Sequence, residues 1–333
     1  MSSNTVPLSE ASPPFNKPSS TPSVDNFLPT ADVILRSRDG TDFYLHKAIL
    51  SSCSQAFAAM LNGTDSVFAV VKDGAMPIIP LEEDAATLDN LFRICYPLPD
   101  PDFKDAQMIY NVLEASRKYI IEHASQFCRQ ALVSLDVLNK DPFSAYTISC
   151  YFGLEEEARK AARHSLHHAF EPGESMHPVA IERLGGEAVF SLLKYRAECK
   201  SAVQRLINDT DYWLDNVQVN AEDNLLYICS DCAPHRAQHV EEPSDLLVLK
   251  LDDSIFHRVT NKVLSKEPCY IPRNDTAWVL TGLVLFEMDS KGWPCLSCRE
   301  EVLRTVHGFF AGRVFHDIEK SILHVALDWR HAA

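Results

Sequence analysis

The pattern of apolar and polar positions changes period within residues 32–61. Two β-prone runs, Val33–Leu35 and Phe43–Leu45, flank Asp39-Gly40, a dipeptide that readily supplies the positive φ angles of a tight hairpin turn. After His46 the apolar residues recur at steps of three and four, which places them on one helical face: Ile49, Leu50, Cys53, Phe57, Met60 and Leu61. The pattern therefore predicts a β-hairpin that leads directly into a helix.

Further strands and helices are predicted up to about residue 120. Residues 66–71 and 76–81 are predicted strands, and Pro77 and Pro80 place the second at a sheet edge because proline lacks a backbone N–H group. Helical spacing then returns twice, first at Leu88, Leu91, Phe92 and Cys95, and again at Ile109, Val112, Leu113, Ser116, Tyr119 and Ile120. Tyr96-Pro97 marks the end of the first of these two helices.

The chain beyond residue 126 is predicted to be mostly helical. Asp141-Pro142 combines an N-cap acceptor with a ring that suits the first helical turn, and Gly153 is expected to end that helix. Helical spacing resumes at about residue 186. It is also clear over residues 302–329, where Gly308 and Gly312 are the positions at which a continuous helix would be weakest.

The hairpin and the helix after it resemble the core of the BTB/POZ domain, a protein–protein interaction module. The matching residues run in the order Asp32-Val33, then Phe43-x-x-His46-Lys47-x-x-Leu50, then Ser54-x-x-Phe57. The resemblance covers about residues 30–125 and implies an α+β fold, a small sheet with helices. It also implies a structural role for the signature residues Asp32, Phe43, His46, Lys47, Leu50, Ser54 and Phe57. Buried polar groups among them are expected to be hydrogen-bonded rather than catalytic.

We expect four regions along the chain. Residues 1–29 are rich in proline and serine and lack an apolar period, which predicts a disordered arm. Many tightly paired BTB domains carry an extra strand and helix before the hairpin, and the arm lacks the pattern for them, which argues against a strongly swapped dimer. The BTB-like domain is followed by a BACK-like helical extension, residues 126–175, and by a mostly helical region, residues 176–333. This layout resembles fungal BTB-domain proteins with a helical C-terminal extension.

Composition narrows the candidate partners. The 333 residues carry a formal net charge of −15, which disfavours nucleic acid and anionic membrane surfaces because both are negatively charged. The N-terminal pattern is not that of a signal peptide, and no apolar run approaches the ~20 residues of a membrane span. We therefore expect an intracellular protein of the cytoplasm or nucleus, whose ten cysteines are reduced thiols.

Two C-x-x-C motifs carry the sharpest chemical signal: Cys229-Ser230-Asp231-Cys232 and Cys295-Leu296-Ser297-Cys298. Zinc favours four thiolates at tetrahedral angles, and a two-residue gap lets both sulfurs of a motif face one ion. Against this, the intervening residues 233–294 far exceed the ~15–20 residues of a compact zinc module. Two interpretations stay open, a structural zinc site and four packing cysteines, so no cofactor is certain.

A zinc-deaminase pattern overlaps the second motif, with His239-Val240-Glu241 followed by Pro294-Cys295 and Cys298. In that chemistry one His and two Cys hold zinc while Glu transfers protons. Residues 242–293 exceed the spacing of those enzymes and the surrounding β-strand core is missing, so this is the least favoured interpretation. Dinucleotide, phosphate-loop and nucleophile-elbow signatures are absent from the sequence. We predict a non-enzymatic binding protein.

The resemblance implies two partner classes: another BTB domain, or a cullin scaffold for which the chain would be a ubiquitin-ligase substrate adaptor. Cullin-binding BTB domains commonly carry a hydrophobic-x-Glu motif after the first long helix, and residues 11–81 contain no glutamate. This weakens the cullin hypothesis, although Asp65 or Asp73 could take that place. The sequence leaves homo-oligomerisation open and favours an adaptor or scaffold.

Overall fold

The computed structural model describes the following residues: 8–17, 31–62, 76–103, 105–168, 170, 176–184, 186–209, 212, 253–264, 274–289 and 296–329. The chain divides into two compact units, Met1–Ile148 and Ser149–Ala333. In the described parts, the first unit combines a small mixed sheet with helices and the second is helical. The fold is therefore α+β with a helical C-terminal region, as the sequence predicts.

The described strands of the first unit form one mixed sheet, in the spatial order β1-β3-β2-β4. These strands are β1 (Ser9–Glu10), β2 (Val33–Arg36), β3 (Thr41–Leu45) and β4 (Ile78–Pro80). The predicted hairpin is the antiparallel pair β2–β3, in which Val33 lies opposite Leu45. Gly40 has a φ of 83°, a value that glycine adopts without steric cost, and this explains the turn. Strand β4 pairs with β2 in parallel.

Strand β1 lies in the segment that the sequence predicts to be a disordered arm. It pairs in parallel with β3, Ser9 opposite Thr41, and Phe15 is only 1% exposed. The prediction therefore needs correction for residues 8–17, which are anchored by a short strand and one buried aromatic ring. Two such features are too few to produce an apolar period. Residues 1–7 and 18–29 of the expected arm lie outside the described residues.

The described helices of the first unit are α1 (Lys47–Cys53), α2 (Gln55–Asn62), α3 (Ala85–Cys95), α4 (Ala106–Lys118), α5 (Glu122–Leu132) and α6 (Leu135–Lys140). Helices α3 and α4 are the two predicted amphipathic helices. Asp84 and Asp105 cap them by accepting hydrogen bonds from the backbone N–H groups of Thr87 and Met108, both at 2.8 Å. The predicted strand at residues 66–71 lies outside the described residues.

The helix predicted to begin at Asp141-Pro142 is α7 (Pro142–Tyr151), which spans the division between the units. Asp141 caps it by accepting a hydrogen bond from the Ser144 N–H at 2.9 Å. Gly153 follows with a φ of 71°, so the chain leaves the helix where the sequence predicts.

The second unit continues with further helices in its described parts, and the last of them ends at Leu323, short of the expected residue 329. They are α8 (Glu155–His164), α9 (Pro178–Leu184), α10 (Glu187–Asn208), α11 (Asp253–Leu264), α12 (Asn274–Asp289), α13 (Leu296–Gly308) and α14 (Phe315–Leu323). A π-helical segment, Phe309–Val314, interrupts the expected continuous C-terminal helix. Within the described residues, no helix is both long and apolar enough to cross a membrane.

Candidate functional site

The residues that carry the sequence resemblance lie where the hairpin meets helices α1 to α4. Three of them form its apolar part: Leu50 and Phe57 are fully buried and Phe43 is 1% exposed. The polar residues Asp32, His46 and Ser54 each make a hydrogen bond that joins separate elements. The three bonds hold the hairpin and the helices of the domain together.

Asp32 caps helix α1 from the start of the hairpin. The residue at the N-cap position, His46, makes no side-chain cap bond, and instead Asp32 Oδ1 accepts from the Lys47 N–H at 2.8 Å. A carboxylate here also faces the positive end of the helix dipole. The bond fixes the first turn of α1 to the entry of β2.

His46 joins the start of α1 to the end of α3 through Tyr96. The His46 N–H donates to Tyr96 Oη at 2.9 Å, and His46 Nδ1 lies 3.2 Å from the same oxygen. Tyr96 is 5% exposed, and this burial raises the pKa of its hydroxyl. The histidine and the tyrosine thus form a buried polar contact that joins α1 to the end of α3.

Ser54 separates α1 from α2 and docks both on α4. Its extended backbone ends α1, and its Oγ accepts from the Phe57 N–H at 2.9 Å. The same hydroxyl donates to the carbonyl oxygen of Tyr119 at 2.5 Å. The Phe57 ring stacks on the Tyr119 ring with centroids 4.6 Å apart. One short side chain therefore caps a helix and holds it against the end of α4.

An aromatic cluster fills the space behind these polar contacts: Phe15, Phe43, Phe57, Phe92, Tyr96 and Tyr119. Phe43 and Phe92 meet edge to face at 5.4 Å, a favoured arrangement of aromatic pairs. Tyr119 Oη donates to Glu83 at 2.6 Å, and burial together with this carboxylate raises the pKa of Tyr119. Sequence reasoning missed Phe15 and Tyr96 as members, since neither belongs to an apolar period.

Within the described part of the first unit, the large exposed apolar residues are candidates for partner contact: Leu8, Ile78, Ile120 and Leu135. Ile120 is 59% exposed and has a φ of 54°, which is unusual for a β-branched residue. It follows α4 in a left-handed helix ending in which the Ile120 N–H donates to the Arg117 carbonyl at 3.3 Å and the Ile121 N–H to the Ser116 carbonyl at 2.9 Å. The geometry holds the Ile120 side chain on the surface.

The predicted metal site lies almost entirely outside the described residues. Cys229, Cys232 and Cys295 lie outside the described residues, as do His239, Glu241 and Pro294 of the deaminase pattern. Cys298 falls in the first turn of α13, where only the backbone is described. No group of three or more His, Cys, Asp or Glu residues in the described part of the chain is placed to hold a metal ion.

The comparison with protein-family models gives one finding, a match of residues 26–135 to the BTB/POZ domain. The matched range extends beyond the predicted residues 30–125 at both ends and includes β2, β3, β4 and α1 to α5. All seven signature residues lie within it. No curated protein matches the chain.

Proposed function

This chain carries a BTB/POZ domain, a protein–protein interaction module, over residues 26–135, and we propose that it acts as a non-enzymatic adaptor or scaffold. The family match is the observation that carries the proposal. Asp32, His46 and Ser54 support the proposal, because their polar groups make hydrogen bonds between elements of the domain. Binding would then use the domain's surface rather than a reactive group.

Partner binding in this proposal buries exposed apolar side chains of the domain. Ile78 lies on the edge strand β4 and is 41% exposed, and Ile120 is more exposed still. Apolar side chains at the centre of an interface contribute most when the partner removes them from water. Both residues are held by backbone hydrogen bonds at or near their positions, so little ordering is needed on binding.

The position of β1 bears on the choice between a second BTB domain and a different partner. Strand β1 covers the free edge of β3 within its own chain. This supports a monomeric domain, or one whose dimer forms through another surface, over dimerisation by strand exchange at that edge. The cullin hypothesis rests on Asp65 or Asp73, both of which lie outside the described residues. Because residues 11–81 contain no glutamate and so lack the hydrophobic-x-Glu motif, we propose a protein partner other than a cullin.

Affinity capture with the full chain and with a chain lacking residues 26–135 tests the proposal. We expect the specific partners to be lost from the shortened chain, and light scattering of the full chain to report whether a second copy is among them. Capture of a cullin would contradict the proposed choice of partner and would assign the role of ligase adaptor instead. Identical partner sets for the two chains would contradict the proposal.

A surface variant that keeps the domain makes the same test sharper. Ile78→Lys combined with Ile120→Asn removes two exposed apolar side chains, and asparagine tolerates the left-handed conformation at position 120. Phe190→Gln in α10, where the ring is 68% exposed, is the matched control outside the domain. We expect the double variant to lose partners that the control retains.

A four-thiolate zinc site at Cys229, Cys232, Cys295 and Cys298 stays a separate proposal for residues 176–333. Its support is the ligand type and the spacing within each motif. The role would be structural, stabilising the second half of a binding protein. The deaminase hypothesis, which shares Cys295 and Cys298, predicts instead that the protein releases ammonia from its substrate. The substitution Glu241→Gln should abolish that release.

A further inference from the structure

Residues 8–17, the N-terminal segment, lie in a groove between β3 and α3 and contact it as a bound peptide would. Three backbone hydrogen bonds of 2.9–3.0 Å join the segment to the hairpin: Ser9 N–H to the Gly40 carbonyl, Ala11 N–H to the Asp42 carbonyl, and Tyr44 N–H to the Phe15 carbonyl. Bonds between backbone atoms do not depend on which side chains the segment carries. They hold an extended segment in place without selecting its sequence.

Two buried side chains of the segment supply the sequence preference of the groove. Ala11 is 6% exposed and Phe15 is 1% exposed, whereas the other residues of the segment are exposed. The Phe15 ring packs against three other rings, with centroid distances of 5.3–6.2 Å: Phe43, Phe92 and Tyr96. The groove therefore selects a small residue followed, four positions later, by an aromatic residue.

Arg93 of helix α3 adds a polar contact to the groove. Its guanidinium donates to the Pro13 carbonyl at 3.2 Å and lies 5.9 Å from the centre of the Phe15 ring. An ion pair of 2.7 Å with Asp89, one helical turn earlier, holds the guanidinium in position. A cation over an aromatic face attracts it, and an aliphatic side chain at the same place would receive no such attraction. Arg93 thus recognises both a backbone carbonyl and an aromatic ring of the peptide.

We propose that this groove is a peptide-binding site for a partner protein and that the N-terminal segment is its resident ligand. The partner's peptide is an extended segment that carries a small residue and, four positions later, an aromatic residue. The groove lies at the β3 edge of the sheet, whereas Ile78 lies on β4 at the opposite edge. The site is therefore separate from the β4 edge and does not depend on the proposed binding there.

A different protein fits this groove better than a second copy of the chain. A second copy offers the same segment and therefore the same contacts. The resident segment has the advantage of belonging to the same chain as the groove, which gives it an effective concentration on the order of millimolar for a short connection. Only a segment that makes more favourable contacts than residues 8–17 fills the groove in its place, which points to another sequence.

Uptake of a labelled peptide by the full-length protein tests the proposal. A protease recognition site inserted between Lys17 and Pro18 allows the chain to be cut after folding, so that only the groove holds the segment. We expect a fluorescein-labelled peptide of residues 8–17 to bind the cut chain, as measured by fluorescence anisotropy. The uncut chain should bind it at least about tenfold more weakly, because its own segment stays connected. Absence of binding to the cut chain would overturn the proposal.

Two altered peptides show whether the labelled peptide lies in the groove. Phe15→Ala in the peptide should weaken binding by at least about tenfold, because the buried ring supplies most of the apolar contact. Leu8→Ala is the matched control and should bind like the unaltered peptide, since Leu8 is 63% exposed. Equal binding of all three peptides would overturn the proposal.

Two protein variants complete the test. The uncut chain with Phe15→Ala lacks the ring of its resident segment and should bind the unaltered peptide, which gives a result that does not rely on cutting. The cut chain with Ile78→Lys and Ile120→Asn should bind the peptide normally, which separates this proposal from the proposed function. Loss of peptide binding in that double variant, or dimers of the cut chain that exclude the peptide, would contradict the proposed site.

Discussion

Ile120 occupies a left-handed backbone position that glycine usually fills at the end of a helix. A β-branched side chain there costs about 1–2 kcal/mol of conformational free energy. Because the side chain is 59% exposed, it recovers little of that cost by burial. The pattern of apolar residues predicts helix up to this position, and it contains no sign of the backbone reversal. Such a strained surface residue is consistent with the proposed role of Ile120 in partner contact.

Ile120→Gly should therefore stabilise the domain, by about 1 kcal/mol in urea unfolding, since glycine adopts the same φ without strain. Leu135→Gly is the matched control, because Leu135 is also exposed but lies in the first turn of helix α6. We expect that control to lose about 0.5–1 kcal/mol. If Ile120→Gly instead lowered the free energy of unfolding, the contacts of the Ile120 side chain would stabilise the domain by more than its left-handed backbone destabilises it.

Ser54→Ala should destabilise the domain by about 2–3 kcal/mol, because it removes a helix cap and leaves the buried Tyr119 carbonyl without that donor. Chemical unfolding monitored by circular dichroism measures the change. Ser52→Ala, an exposed position in helix α1, is the control and should change the free energy of unfolding by less than about 0.5 kcal/mol. Equal effects of the two substitutions would rule out the docking role of Ser54.

At the scale of elements, the sequence predicts the helices and strands that are determined by residues close together in the chain. The hairpin, α3, α4 and the start of α7 all follow from spacing, turn residues or caps within a few positions. The break between α1 and α2 was not predicted, because apolar spacing continues through Ser54 while its hydroxyl partner, Tyr119, is distant in the chain. The π-helical segment was likewise not predicted, because the apolar spacing continues through it without a break. Strand β1 was missed because its stability comes from β3 and the aromatic cluster.

Phe15→Ala should release β1 from the sheet. The buried ring contacts Phe43, Phe92 and Tyr96, and loss of such a side chain costs about 3–5 kcal/mol where the site cannot collapse. Hydrogen exchange is the direct measurement. The N–H groups of Ser9 and Ala11, which donate to the Gly40 and Asp42 carbonyls at 3.0 Å, should exchange faster.

Leu8→Ala is the comparison for this prediction, since Leu8 lies beside β1 and is 63% exposed. We expect it to leave exchange at Ser9 and Ala11 almost unchanged. Unaltered exchange in Phe15→Ala as well would mean that hydrogen bonds to β3 hold the strand without the ring.

At the scale of the whole molecule, the BTB/POZ family was predictable from the sequence and the presence of a metal site was not. The resemblance rests on residues within one compact domain, and the family match bears it out. The C-x-x-C motifs are separated by residues 233–294, so their convergence depends on tertiary contacts that spacing cannot supply.

Elemental analysis of the purified chain tests the zinc proposal. We expect one zinc ion per chain, lost together with thermal stability in Cys229→Ser and in Cys295→Ser, because a structural zinc site couples metal binding to folding. Cys150→Ser, at a buried cysteine outside both motifs, should retain the metal. Zinc-free protein whose stability is unchanged in the motif variants would leave the four cysteines as packing residues.

The two-residue strand β1 also sets a competition for the edge of the sheet. A partner that binds by adding its own strand beside β3 has to displace β1 first. Its apparent dissociation constant is then the intrinsic value divided by the fraction of molecules in which β1 is detached. Because a two-residue strand, a few hydrogen bonds and the buried Ala11 and Phe15 side chains hold the segment, single substitutions can change that fraction. A partner that adds a strand at this edge would therefore have to bind more tightly than the N-terminal segment, with which it would compete for β3.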